Sequence, residues 1–219
     1  MGAAAAAPSS GPIRPVIDPE LQALPEPRRP WRRATLATMA VTAIAALGVA
    51  TTLLPLASYG LRTGAPREIG ALTHVQLGAG LANRWVHAVG TLGPRSVEYR
   101  RPLDADRYRL TPSEGDPRIW VEVRVPEDVE PEHYVTPNSF VGRLVPVRDA
   151  GLRHAAVPGA VEAALGHPLP ADTWILVDGE APATTRWAIG FVALFVAFAA
   201  FNVWGVARLL RPVRPTRAG

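Results

Sequence analysis

Two uninterrupted apolar runs, "ATLATMAVTAIAALGVATTLLPL" (34–56) and "WAIGFVALFVAFAAFNVWGVARLL" (187–210), bracket a stretch of shorter, alternating segments. Neither run carries a charge before Arg208. A helix of about 20 residues crosses a hydrocarbon core roughly 30 Å thick, so both runs are long enough to span a membrane. A soluble core helix seldom stays uncharged on every face for this length. The first run also exceeds the roughly 7–15 apolar residues of a cleaved signal, and "LAS" at 56–58 is a poor cleavage site, which favours an anchor. The pattern predicts a disordered tail (1–33), a transmembrane helix (34–56), a β-rich domain (57–185), a second transmembrane helix (186–210) and a basic tail (211–219).

Between the runs the period changes from helical to two. "WVHAVGTL" (85–92), "RIWVEVRV" (118–125), "SFVGRLVPV" (139–147) and "TWILVD" (173–178) have the length and β-branched content of strands. Ile119, Val121, Val123 and Val125 alternate with Arg118, Trp120, Glu122 and Arg124, the pattern of a half-buried strand. "VPGAVEAALGHP" suits one short helix, with Pro158 in its first turn and Gly166 just past its end.

The charge-dense stretch "RRPLDADRYRL" (100–110) contains Asp104 and Asp106 at the D-x-D spacing of many cation sites. A hairpin explains it better. If paired residue numbers sum to 207, Val97 faces Leu110, Tyr99 faces Tyr108 and Glu98 faces Arg109, so apolar pairs share one side and the charged pair the other. The two aspartates then sit in the turn, where short acidic side chains cap the backbone. About six strands and one helix, mostly hairpin-connected, predict a small antiparallel barrel or two-layer sheet, the oligonucleotide-binding barrel being one member of that class.

Charge sets the orientation. Arg28, Arg29, Arg32 and Arg33 precede the first helix, and Arg208, Arg211, Arg214 and Arg217 close the chain. Both termini are expected on the cytoplasmic side, with 57–186 outside. Residues 57–185 hold 13 Arg against 16 Asp plus Glu, a net of −3, so the basic pI arises at the membrane flanks. Nucleic acid is therefore not an expected partner. Cysteine is absent, which removes disulfides and thiolate chemistry. Lysine is absent too, while Ala, Arg, Pro and Gly abound, as a GC-rich bacterial coding sequence would give; the inner membrane and periplasm are the expected addresses.

The helix faces carry candidate contact residues. Ala34, Thr38, Thr42, Ala46 and Ala50 recur at every fourth position, a row of small residues that lets backbones approach closely. On the second helix Phe191, Phe195, Phe198 and Phe201 form an aromatic stripe beside the smaller Ala193 and Ala197. Asn202 is an isolated polar group suited to a partner helix or to the headgroups. Trp187 and Trp204 mark the two interfaces. The expected partners are other membrane proteins and the bilayer.

Candidate chemistry in the middle domain is sparse. His74, His87, His133, His154 and His167 show no i, i+4 pair and no H-E-x-x-H, and no metal or other cofactor is expected. Ser139 with His133 and Asp128 is the one nearby set with the residue types of a triad, in no recognisable motif. The Pro-rich loop 126–138 concentrates Glu127, Asp128, Glu130 and Glu132, either a solvated loop or a docking surface for a basic partner or a weak calcium site.

The plan of helix, β-rich domain and helix, with both ends inside, resembles that of the surfeit-locus cytochrome oxidase assembly factors. The resemblance is one of topology over most of the chain; it brings across no motif and no site residue. The expected function is a non-catalytic membrane-anchored interaction module, a subunit or assembly factor of a larger membrane complex. The alternatives are an envelope hydrolase using Asp or Glu with His, and a periplasmic sensor coupled to the N-terminal tail.

Overall fold

The first apolar run folds as α1, Arg32–Gly60, an unbroken helix with Pro55 inside its last turns. The second forms α3, Trp187–Leu210. Both are long and apolar enough to cross a membrane. They pack antiparallel: Ala43 and Ala46 meet Ala199 and Phe195, and nearer the sheet Leu56 and Ala57 meet Ala188, Ile189 and Val192. Small side chains allow the close approach. Away from this seam the apolar residues face outward, Ile44 at 71% and Phe201 at 62% exposure among them. The computed structural model describes residues 31–101, 104, 106–126 and 136–211.

Among the described residues seven strands lie between the helices: β1 Arg67–Ala71, β2 Arg84–Val89, β3 Val97–Arg100, β4 Arg107–Pro112, β5 Ile119–Val125, β6 Ser139–Pro146 and β7 Trp174–Asp178. They form one sheet in the order β1-β2-β6-β7-β5-β4-β3. The expected barrel is corrected here: β1 and β3 are free edges, so the sheet is not closed. Nor is it purely antiparallel, because β1 pairs with β2, and β5 with β7, in parallel. The strands are not mostly hairpin-connected either, since only β3-β4 and β4-β5 are consecutive antiparallel neighbours joined by short turns, but the hairpin expected over 97–110 forms. Val97↔Leu110, Glu98↔Arg109, Tyr99↔Tyr108 and Arg100↔Arg107 are paired, the register that sums to 207.

Both sides of the central strands are covered. On one side Val86, Val121, Phe140, Leu144 and Leu176 pack beneath the 72–82 segment, which contributes Leu72, Val75 and Leu77. On the other, Tyr99, Tyr108, Trp120, Ile175 and Val177 pack beneath α2, Val157–Leu165, through Val157 and Val161. Helix α2 has Pro158 in its first turn and ends at Gly166, whose left-handed φ of 76° suits glycine. Strand β5 is therefore not half-buried: Ile119 to Val123 are all buried, Glu122 included.

At the centre of the sheet β6 crosses β7 so closely that a Cβ on Gly142 would lie 1.9 Å from the Val177 carbonyl oxygen. Only glycine fits there. The same close approach brings Val141 N–H within 3.0 Å of the Asp178 carboxylate.

Candidate functional site

Strand alternation places Glu122 on the side of β5 that faces α2, with its side chain fully buried. Three groups converge on it. Tyr99 donates its hydroxyl at 2.6 Å, Arg101 donates from its guanidinium, and His154 Nε2 lies 2.9 Å away. His154 Nδ1 lies 3.1 Å from the Ala150 carbonyl oxygen, which fixes the ring. Burial alone would raise the Glu122 pKa; His154, then Arg101 and Tyr99, reverse that and hold the carboxyl below its ordinary value. Burial, followed by the Glu122 charge, pushes the Tyr99 phenol well above its ordinary range. A carboxylate sealed from water with all its partners in place positions its neighbours rather than reacting.

From Arg101 the polar groups run outward to the helix ends. The Arg101 guanidinium stacks 4.0 Å over the Tyr108 ring, and the Tyr108 hydroxyl donates at 2.7 Å to Asp104. Burial and this bond raise the Tyr108 pKa to about 12. Asp104 also accepts the Asp106 main-chain N–H at 3.2 Å, so the D-x-D pair shapes a turn. Arg153 donates to Glu180 at 3.1 Å and lies 3.7 Å from Asp104. Buried Arg143 lies 3.6 Å from Glu180 and donates at 2.7 Å to Asn83.

These last residues lock the sheet to the helices. Tyr59, in the final turn of α1, is fully buried and donates its hydroxyl to the Glu180 main-chain oxygen. Asn83 donates at 2.7 Å to the Pro55 carbonyl, and Arg143 sits 5.5 Å over the Tyr59 ring. Gly60 packs against Thr185 and Arg186, where an added Cβ would come within 3.2 Å of the threonine hydroxyl. Between this junction and the sheet lies a cleft of about 390 Å³, lined by Arg101, Arg124, Arg153, Asp178, Glu180 and Trp187. Its volume is that of a small-ligand site, and its walls carry both signs of charge.

A second polar set lies on the open half of the sheet, across β1, β2 and β6. His87 Nδ1 is 2.7 Å from both carboxylate oxygens of Glu68, and His87 Nε2 is 2.9 Å from Ser139 Oγ. A carboxylate only accepts, so Nδ1 carries the hydrogen and Nε2 is left to accept from the serine. That is the bonding order of a serine nucleophile, its base and an orienting acid. Glu68, however, is 71% exposed at the sheet edge, where water competes for its oxygens.

The helix-face residues fall into two groups. Ala46 and Ala50 are buried, Ala46 directly against α3. Thr42 donates at 3.3 Å to Asn202, whose amide in turn donates at 2.8 Å to Phe198. Ala34, Thr38, Ala193 and Ala197 remain exposed on the outer surface of the pair. Glu127, Asp128, Glu130 and Glu132, with His133, lie outside the described residues. Among the described residues no group of three or more His, Asp or Glu is placed to hold a metal ion.

Sequence reasoning singled out Ser139 but joined it to His133 and Asp128, whereas the fold gives it His87. It read Glu122 as the outward polar position of an alternating strand and gave no role to Arg101, Arg143 or Glu180. The one available signal was Glu122 itself, a lone acid among valines in a run long enough to be central. No family model, curated protein or solved structure matches the chain.

Proposed function

We propose that the chain is a two-helix membrane protein that serves as a non-catalytic interaction module, a subunit or assembly factor of a larger membrane complex. In this reading α1 and α3 span a bacterial inner membrane, both termini are cytoplasmic, and the sheet lies on the periplasmic side. The outward apolar faces of both helices and the arginines beyond their inner ends support it.

The observation that carries the reading is the fixed junction of Tyr59, Asn83, Arg143 and Glu180. A tethered enzyme needs no set angle between anchor and domain. A subunit that presents a composite surface of helix and sheet does, and a buried polar junction supplies it. Single cysteines test the topology cleanly in a chain that has none. A cysteine at exposed Thr63 should react with an impermeant maleimide in intact spheroplasts, and one at Ser9 only after lysis. The reverse labelling would overturn the orientation. Release of the protein by alkaline carbonate would overturn the membrane reading itself.

One observation favours the hydrolase reading, the Glu68–His87–Ser139 chain. If it is a triad, a fluorophosphonate probe labels the purified full-length protein, and Ser139→Ala abolishes the label. Absence of label on the wild type removes this reading.

A further inference from the structure

The cleft beside the outer helix ends holds charges that the fold matches unevenly. Arg124 is paired with Asp106 at 2.8 Å, Arg153 with Glu180, and Arg101 with Glu122. Asp178 differs. Its carboxylate accepts the main-chain N–H of Val141 at 3.0 Å, and among the described residues no basic side chain forms an ion pair with it. Burial pushes its carboxyl pKa up.

A smaller cavity, about 40 Å³, adjoins the helix side of the junction, where Leu53 and Leu56 of α1 face Leu152. Arg153 and Trp187 line both cavities. A charged cleft and an apolar slot thus meet at one arginine and one tryptophan, at the level where the apolar helix surface ends. Leu152 is 62% exposed beside that slot. An exposed leucine next to Arg153 and the Trp187 indole suits the boundary between headgroups and acyl chains.

The geometry points to this cleft as a binding site for a phospholipid headgroup that carries a primary ammonium, that is, phosphoethanolamine. The phosphate lies against Arg124 and Arg153, the ammonium satisfies Asp178, and the first acyl carbons run along Leu53 and Leu152. The assignment rests on the membrane reading above. It is selective on chemical grounds. A glycerol headgroup supplies no cation to Asp178, and a choline headgroup supplies a cation with no N–H to donate.

The test uses the full chain in nanodiscs of phosphatidylcholine doped with short-chain phosphatidylethanolamine or phosphatidylglycerol, with bound lipid counted by native mass spectrometry. Phosphatidylethanolamine should be retained about tenfold better than phosphatidylglycerol, the worth of one charge-assisted bond. Asp178→Asn should erase that preference, and Arg124→Gln, at an exposed position, should weaken retention of both lipids. Equal retention of the two by the wild type overturns the inference, as does a preference that survives Asp178→Asn. Free phosphoethanolamine at equal concentration should not displace the lipid; displacement would assign the site to a soluble ligand instead. Carbonate extraction of the same membranes keeps the two claims apart. A chain that stays in the membrane yet shows no lipid preference loses only the headgroup site.

Discussion

Tyr59 closes α1 by giving its hydroxyl proton to the main-chain oxygen of Glu180, a residue 121 positions further along the chain. One bond ties the end of the first apolar helix to the segment that leads into the second. Around it Asn83, Arg143 and Glu180 repeat the link from the sheet side. The helix pair and the sheet therefore meet as one body.

Tyr59→Phe removes that link and leaves a buried carbonyl unpaired, at a cost of about 1–3 kcal/mol. The effect should be local. Amide exchange at 180–186 should quicken in the detergent-solubilised variant while the central strands stay protected. Unchanged exchange across 180–186 would show that the junction does not depend on this bond.

Removing the buried anion tests the interior of the sheet domain. Glu122→Gln leaves Arg101 and His154 facing no carboxylate and should cost about 3–5 kcal/mol, read as a fall in the denaturant midpoint. A loss below about 1 kcal/mol would mean that the cluster contributes little to folding.

The same carboxylate predicts a pH dependence. Its pKa is lower in the fold than in the unfolded chain, so the stability it contributes is present above the ordinary Glu value of about 4.3. As pH falls below that value and through the folded pKa, the unfolded chain takes up the proton first and the contribution is lost. The melting temperature should drop between about pH 5 and pH 3. Glu122→Gln should flatten this component. An identical pH profile in the two proteins would assign acid sensitivity to other carboxylates.

Gly142→Ala should prevent the sheet from forming. A methyl group 1.9 Å from the Val177 oxygen forces β6 and β7 apart at the centre of the fold. Expression without a folded, protease-resistant domain is the expected result. A stable variant would mean that the two strands can separate at little cost.

What the sequence discloses depends on how local the determinant is. The 97–110 hairpin is legible because both strands and their turn lie in one short segment, and a single register satisfies every apolar pair. Helix α2 is legible from Pro158 and Gly166. Strand β1 is not: "REIGA" is short, lacks alternation and bulges at Gly70. Its partner is parallel, so no hairpin turn announces it. Glu122 looks like a solvent-facing position in an alternating strand. What buries it is His154, 32 residues later, together with Arg101 across the neighbouring hairpin. The Glu68–His87–Ser139 contact likewise exists only once β1, β2 and β6 lie side by side. Long-range pairing sets the chemistry of this domain, and single-segment patterns do not encode it.

Helix-face substitutions separate internal packing from recognition. Ala46→Leu overpacks the α1–α3 seam, where Ala46 meets Ala199, and should cost about 1–3 kcal/mol. Ala193→Leu with Ala197→Leu lies on the outer surface and should leave the thermal stability of the isolated protein within about 0.5 kcal/mol of wild type. A large loss in the second variant would place those alanines in internal packing instead.

The central claim, that this chain is a module of a larger membrane assembly, is met most directly by purifying the tagged full-length protein from native membranes in mild detergent and identifying what accompanies it. The account predicts a defined set of membrane proteins in fixed stoichiometry, diminished by the Ala193→Leu/Ala197→Leu variant although that variant remains folded. Recovery of the protein alone, at native expression and under gentle conditions, would contradict it.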